Sequence, residues 1–305
     1  MYRREFLAAL AAAPLFAGQN RIDRSRISAI TDEIAETPAE AIDFCRKYGL
    51  RWVELRGVPG ERMHYARVPE PDLKAAAKEF HDHGLKVSFL NTGLLKFGLP
   101  GTEPVRKKPE TETARQKRLA RGKAEFASRI DDLKQAIRAA HILGVDQIRV
   151  FAFLRVEEPA KIEQRIVDII GEMGEIAAKE NVRLLLENEA ACNVATCSEL
   201  ASMMKLLPAK SVGINWDPLN GGHYNETPYP DGYNLLPKER IGNVQIKGRS
   251  LLDPENRLPW AGIFAALEKD GYRGQAGLET HYFDGTLIEK SHASVLEIIR
   301  IVEHS

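Results

Sequence analysis

Three carboxylates each close a short apolar run of the sequence: Glu187 in LLLENE, Asp217 in INWDP and Glu279 in GLETH. A fourth run, NVQIKG, carries Gln245 at its end. If these runs are neighbouring strands of one sheet, their terminal side chains converge. Converging like charges raise one another's pKa and destabilise the fold unless protons or a cation neutralise them. The pattern predicts a site for a divalent metal ion, with an unmetallated polar cluster as the alternative.

Lys247 follows Gln245 by two residues and therefore shares its face of the predicted strand. Its ammonium group has two candidate roles. It either acts as a catalytic group that stabilises an oxyanion developing on a substrate, or it forms an ion pair with Asp217 or Glu279.

Two histidines and one further carboxylate are candidate substrate-binding residues. His223 and His281 lie shortly after the runs that end in Asp217 and Glu279, where a histidine contacts either substrate or solvent. Glu54 precedes Arg56 by two residues, so the two side chains share a face. The favoured interpretation is an ion pair between them, and the other is a substrate contact by Glu54.

The elements that would position these residues recur along the chain. Strand-like runs rich in Val, Ile, Leu and Phe are separated by amphipathic, helix-like segments, which is typical of repeated βα units with a parallel sheet. Eight such runs predict a closed (β/α)8 TIM barrel, an α/β fold, as one domain over residues 22–305. The runs are 26–30, 51–55, 86–91, 147–151, 182–187, 211–217, 242–247 and 275–279.

Two predicted βα connections are long, 94–123 after the third strand and 221–237 after the sixth. In a barrel these connections emerge at the carboxyl ends of the strands, where substrates bind. The charged part of the first, 106–123, predicts a lid over the site or a surface helix.

The first residues differ from the rest of the chain. Arg3 and Arg4 precede an alanine-rich apolar run that is too short to span a bilayer and ends near Gly18. This layout resembles a twin-arginine export signal over residues 1–18. We therefore expect a bacterial protein exported to the periplasm, with no stable membrane insertion once the signal is removed.

Composition limits the partners. Lys and Arg number 43 and Asp and Glu number 43, so no net charge attracts the protein to nucleic acid, and a small molecule is the expected partner. The three cysteines indicate no disulfide framework. The oligomeric state is left open.

Six motifs in barrel order resemble the sugar phosphate isomerase/epimerase family, whose members have the xylose isomerase-like TIM barrel. The motifs are AITDE at 29–33, VELR at 53–56, LEN at 186–188, NWDP at 215–218, NVQIK at 243–247 and LET at 278–280. The resemblance covers essentially all of the chain after the predicted signal.

The resemblance implies a divalent ion held by Glu187, Asp217, Glu279 and the residue at position 245. The family usually has His at that position, and this chain has Gln245. A Gln carbonyl is a weaker, hard oxygen donor, so Mn²⁺ or Mg²⁺ is favoured over Zn²⁺ or Co²⁺; the alternative is a weakened or lost metal site. By the same resemblance, Glu187 and Glu279 are also the catalytic acid/base pair.

The implied function is a metal-dependent isomerase or epimerase of a small carbohydrate, a keto-sugar or related polyol, that abstracts a proton next to a carbonyl. One alternative is a carbon–oxygen lyase or dehydratase acting on a keto-inositol or a 3-keto-glycoside, since it begins with the same step. Another is a non-catalytic sugar-binding barrel, which the Gln at position 245 motivates.

Overall fold

A computed structural model describes residues 21–106 and 108–304. It contains eight parallel strands whose bounds differ from the predicted runs by a few residues at most. The strands are β1 Ile27–Ala29, β2 Trp52–Leu55, β3 Lys86–Leu94, β4 Gln147–Val150, β5 Arg183–Glu187, β6 Val212–Trp216, β7 Ile241–Lys247 and β8 Ala276–Glu279.

The strands form one eight-stranded sheet in which neighbours in sequence are neighbours in space, and β1 pairs with β8. The remaining gap, between β1 and β2, is crossed by a parallel bridge between Ile30 and Glu54. The sheet is thus nearly closed on itself, and the predicted (β/α)8 barrel is confirmed.

Helices alternate with the strands. They are α1 Thr31–Ile34, α2 Pro38–Tyr48, α3 Glu70–Asp82, α4 Glu112–Leu143, α5 Glu163–Lys179, α6 Cys197–Leu206, α7 Tyr233–Leu235, α8 Arg249–Leu252, α9 Trp260–Lys269 and α10 Leu287–His304.

Local sequence signals explain where several helices begin and end. Thr196 caps α6 in a full capping box with Glu199, which satisfies free N–H groups of the first turn. Gly144 ends α4 at a φ of 68°, a left-handed conformation that glycine adopts without a side-chain clash. These signals place the turns that lead into the next strand.

The hydrophobic core lies between the sheet and the helices, because side chains that alternate along each strand point to opposite faces. In β7, Val244 and Ile246 face this core, whereas Asn243, Gln245 and Lys247 point into the barrel. The barrel interior is therefore largely polar, and the functional candidates lie in it or at its carboxyl end.

Two tryptophans pack in the hydrophobic core. Trp216 is fully buried and its ring lies 5.1 Å from that of Tyr233 in α7. Trp260 begins α9, where it is buried against Phe264.

The predicted export segment, residues 1–18, lies outside the described residues. No helix in the described ranges combines the length and apolarity that crossing a bilayer requires. The three cysteines, Cys45, Cys192 and Cys197, are buried and free.

Candidate functional site

The three predicted carboxylates meet at the carboxyl ends of β5, β6 and β8. Glu187, Asp217 and Glu279 are at most 4% exposed, and one oxygen of each lies within 4.8 Å of an oxygen of the other two. Strand register explains the convergence, because Glu187 is opposite Asn215 in β6 and Glu279 is opposite Lys247 in β7. We call these three residues the carboxylate cluster.

Backbone contacts orient one member of the cluster. Asp217 Oδ1 accepts hydrogen bonds from the N–H groups of Leu219 and Asn220, at 2.9 and 3.2 Å. Its other oxygen, Oδ2, therefore points toward Lys247 and the rest of the cluster.

Each carboxylate of the cluster also contacts a basic side chain. Arg149 Nη1 lies 3.1 Å from Glu187 Oε2, and Lys247 Nζ lies 2.6 Å from Asp217 Oδ2 and 3.8 Å from Glu279 Oε2. Arg56 Nη1 lies 3.3 Å from Glu279 Oε1. The protein's own cations thus offset much of the repulsion, so a bound metal ion is not needed to explain why the three carboxylates lie together.

The pKa values of the two glutamates are driven apart. Burial raises the pKa of Glu187 to about 7; Arg149 lowers it, and Glu279 and Asp217 raise it further. Burial also acts to raise the pKa of Glu279, but Lys247, His281 and the nearby arginines outweigh it and lower that pKa to about 2. One buried carboxyl is therefore poised to carry a proton near neutral pH beside one that stays ionised.

The donor atoms fit a hard divalent cation. The cluster supplies three carboxylates, and Glu279 Oε2 accepts no hydrogen bond. Gln245 is fully buried and its Oε1 also accepts none. Oxygen ligands of this kind suit Mg²⁺ or Mn²⁺ better than Zn²⁺.

Lys247 forms the predicted ion pairs with Asp217 and Glu279, and its ammonium also donates to Asn220 Oδ1 at 2.8 Å. It is 6% exposed and lies at the inner end of a cavity of about 840 Å³. Burial acts to lower the pKa of Lys247, but Asp217 and Glu279 raise it well above its usual range. Lys247 is therefore a fixed positive charge between the cluster and the cavity.

The two predicted histidines both line this cavity. His281 Nδ1 lies 3.6 Å from Glu279 Oε1 and from Glu33 Oε1, so His281 reaches the cluster. His223 is exposed on the connection after β6. The cavity has the size of a small-molecule site, which is roughly 300–1,000 Å³.

The predicted pairing of Glu54 with Arg56 is wrong. Arg56 contacts Asp32 Oδ2 at 3.0 Å and Glu33 Oε1 at 2.9 Å, as well as Glu279. Arg56 lies just past the end of β2, so its side chain turns to Asp32 and Glu33 of α1 while Glu54 points into the barrel.

A substrate contact by Glu54 does not fit the structure either. Glu54 is fully buried, and its two oxygens accept four hydrogen bonds from side chains of the barrel interior. No acceptor position is left for a sugar hydroxyl.

Sequence analysis missed Arg149, which contacts Glu187 from β4. The sequence contained a signal for this contact: an arginine within an apolar barrel strand is buried on folding and therefore needs an anionic partner inside the barrel. It also missed that Asp32 and Glu33 hold Arg56, although both belong to the AITDE motif.

The charged segment 106–123 is helical over much of its length. From Glu112 onward it forms the first turns of α4, and Arg118 contacts Glu110 and Glu103 in the preceding loop. From Glu112 the segment forms a surface helix, and its role as a lid over the site stays a prediction.

Comparisons with known proteins agree with this architecture. The family model described as xylose isomerase-like TIM barrel matches residues 42–300. No curated protein sequence matches the chain.

Several solved structures share the fold at low sequence identity. An IOLI protein with a bound zinc atom is 18% identical, with a TM-score of 0.66 over 92% of this chain and 98% of that one. The 3-keto-D-glucoside 4-epimerase YcjR of E. coli is 14% identical, with a TM-score of 0.63 over 91% and 98%. A D-psicose 3-epimerase in the presence of D-fructose is 16% identical, with a TM-score of 0.62 over 92% and 97%.

Proposed function

The chain belongs to the xylose isomerase-like TIM-barrel family, and we propose that it is an isomerase or epimerase of a small carbohydrate. The observation that carries the proposal is the buried pair Glu187 and Glu279, one oxygen of each lying within 4.8 Å of the other. Burial raises the pKa of Glu187 to about 7, whereas Lys247, His281 and the nearby arginines lower the pKa of Glu279 to about 2. Two neighbouring carboxyls with separated pKa values are the usual arrangement for paired acid and base catalysis.

In the proposed reaction, ionised Glu279 removes a proton from the carbon next to a substrate carbonyl. The electron pair of that C–H bond forms a C=C bond, and the carbonyl oxygen becomes an enediolate oxyanion. Lys247 stabilises this oxyanion through its ammonium group, which lies between the cluster and the cavity.

Glu187, protonated, then returns a proton to the intermediate. Delivery to the opposite face of the same carbon re-forms the original carbonyl and gives an epimer. Delivery to the former carbonyl carbon, with transfer of the adjacent hydroxyl proton to the former carbonyl oxygen, moves the carbonyl to the first carbon and gives an isomer. The two glutamates exchange protons with water before the next turnover.

Glu187, Asp217, Glu279 and the Oε1 atom of Gln245 are the ligands we propose for a divalent ion, Mn²⁺ or Mg²⁺. When bound, such an ion polarises the substrate carbonyl and makes the adjacent C–H bond more acidic. Arg149 and Arg56 orient Glu187 and Glu279 for the proton transfers.

The proposed substrate is a free keto-sugar or related polyol that enters through the cavity, with His223 and His281 as candidate contacts. The similar solved structures include epimerases with D-fructose and with D-allulose. Residues 1–18 are proposed to direct the protein to the bacterial periplasm, where free rather than phosphorylated sugars are expected.

The test is solvent deuterium exchange. The protein without residues 1–18, loaded with Mn²⁺, is incubated in D2O with free keto-sugars, inososes and 3-keto-glycosides, and deuterium at carbon is measured by mass spectrometry. We expect exchange with at least one substrate, lost in Glu279→Gln and retained in Glu297→Gln, which changes a carboxylate of α10 that does not line the cavity. An unsaturated product would indicate the lyase alternative, and no exchange with any substrate would refute the proposal.

A further inference from the structure

Glu54 is a buried carboxylate inside the barrel whose hydrogen-bonding capacity is completely used. Its Oε1 accepts from Ser28 Oγ at 2.9 Å and from Asn243 Nδ2 at 3.3 Å. Its Oε2 accepts from Asn91 Nδ2 at 2.8 Å and from Gln245 Nε2 at 2.7 Å. Two donors on each oxygen fill the lone-pair positions of a carboxylate.

A glycine makes this arrangement possible. Glu54 belongs to β2 and Gln245 to β7, with β1 and β8 between them in the sheet. A Cβ atom at Gly277 of β8 would lie 1.8 Å from Glu54 Oε1. Because Gly277 lacks that atom, the Glu54 carboxylate reaches across the barrel to the side chains of β7.

The contact with Glu54 determines the orientation of the Gln245 side-chain amide. Gln245 Nε2 donates to Glu54 Oε2 and, at 3.5 Å, to Asn91 Oδ1, so both of its N–H bonds have acceptors. Gln245 Oε1 is buried and accepts no hydrogen bond. A carboxylate accepts but does not donate, so the reversed amide would place two acceptor oxygens against each other.

The neighbours of Gln245 on its inward face both connect to the carboxylate cluster. Asn243 donates to Asn215, which donates to Glu187, and Lys247 contacts Asp217 and Glu279. Gln245 therefore lies at the level where the barrel interior meets the cluster.

We propose that Glu54 is a positioning residue that holds the Gln245 amide with its oxygen free to bind the divalent ion. This inference rests on the proposed function, because it assumes that Gln245 is a metal ligand. Glu54 does not contact the ion in this arrangement, and its effect on metal binding passes through Gln245. Groups that orient a ligand in this way commonly change metal affinity by about 10- to 100-fold.

The test is a double-mutant cycle on Mn²⁺ affinity, measured by isothermal titration calorimetry. Glu54→Gln keeps the shape of the side chain and allows the Gln245 amide to reverse. We expect it to weaken Mn²⁺ binding by about 10- to 100-fold in the natural sequence. In a Gln245→Leu background, the same Glu54→Gln change should cost less than about threefold.

Each outcome of the cycle has one meaning. A loss of equal size in both backgrounds shows that Glu54 acts through its charge or through Asn243, which overturns the proposal. Unchanged affinity in Glu54→Gln overturns it as well. If the natural protein binds no Mn²⁺, the metal-dependent part of the proposed function fails, and the two failures are thereby distinguished.

A second measurement needs no change at Glu54. In protein labelled at glutamine, the Gln245 side-chain resonances are assigned by their loss in Gln245→Leu. We expect the Gln245 side-chain N–H protons to exchange slowly with water, and the carbonyl carbon to shift when Mg²⁺ is added while the protons stay protected. Fast exchange, or a carbonyl that does not respond to saturating Mg²⁺, overturns the proposal.

Discussion

Lys247 places a positive charge in the part of the site that a divalent ion would share, so replacing it tests the electrostatics of the cluster. We choose Lys247→Met because methionine keeps an unbranched chain of similar length and removes only the ammonium group. The charge lost lies 2.6 Å from Asp217 Oδ2 and 3.8 Å from Glu279 Oε2.

The size of the effect follows from burial. Removing one partner of a buried ion pair leaves an unpaired buried charge and costs about 3–5 kcal/mol of unfolding free energy. We therefore expect metal-free Lys247→Met to be less stable than the natural protein by about that amount. A bound Mn²⁺ then neutralises Asp217 and Glu279 without repulsion from the ammonium. If Mn²⁺ binding recovers about 3 kcal/mol of the lost stability, Lys247→Met binds Mn²⁺ roughly 100-fold more tightly than the natural protein does.

The assay compares thermal unfolding with and without Mn²⁺ and measures the dissociation constant by calorimetry. Lys96→Met is the matched control, because Lys96 pairs with Glu189 at 2.8 Å but is partly exposed. It should cost at most about 1 kcal/mol and leave Mn²⁺ affinity unchanged. If Lys247→Met binds Mn²⁺ no more tightly than the natural protein, the ammonium does not oppose the ion and the reasoning is refuted.

Three further outcomes follow from the site. Glu279→Gln should keep the fold, weaken Mn²⁺ binding and abolish solvent exchange at the substrate carbon, since it removes a charged ligand and the base; calorimetry and deuterium incorporation measure these effects. Gln245→His should tighten metal binding and shift the preference toward Zn²⁺ or Co²⁺, and competition titrations giving an unchanged order of affinities would contradict this. The pKa of Glu187 is raised in the folded protein from 4.5 to about 7, so its contribution to stability is complete below pH 4.5 and is lost as the pH rises to about 7. Denaturation of metal-free protein across this range should therefore show a fall in stability that Glu187→Gln removes.

The sequence was sufficient to predict the fold and the carboxylate cluster because both depend on regular spacing. Side chains alternate along a strand, and the carboxyl ends of neighbouring parallel strands meet, so Glu187, Asp217 and Glu279 could be brought together without coordinates. Lys247 followed from Gln245 by the same two-residue step.

The partners of the arginines could not be obtained in this way. Arg56 was paired with Glu54 because they are two residues apart, but the strand ends at Leu55 and the alternation ends with it. The acidic residues that hold Arg56 come from α1, and only the closure of the barrel brings that helix beside β2. The hydrogen bonds that Glu54 accepts inside the barrel depend on the missing Cβ atom of Gly277. This steric requirement is visible only in the folded barrel, not in the sequence.

The charges around the cluster show why protons, lysine and metal are linked at this site. The carboxylates of Glu187, Asp217, Glu279, Asp32 and Glu33 face three basic side chains, Arg149, Lys247 and Arg56. With all five of these carboxyls ionised, this group of eight side chains carries two negative charges. Without the ion, a proton on Glu187 removes one of the two, in agreement with its raised pKa. A bound ion would therefore lower the pKa of Glu187, so the proton that this residue returns to the intermediate would be given up more readily than in the metal-free protein.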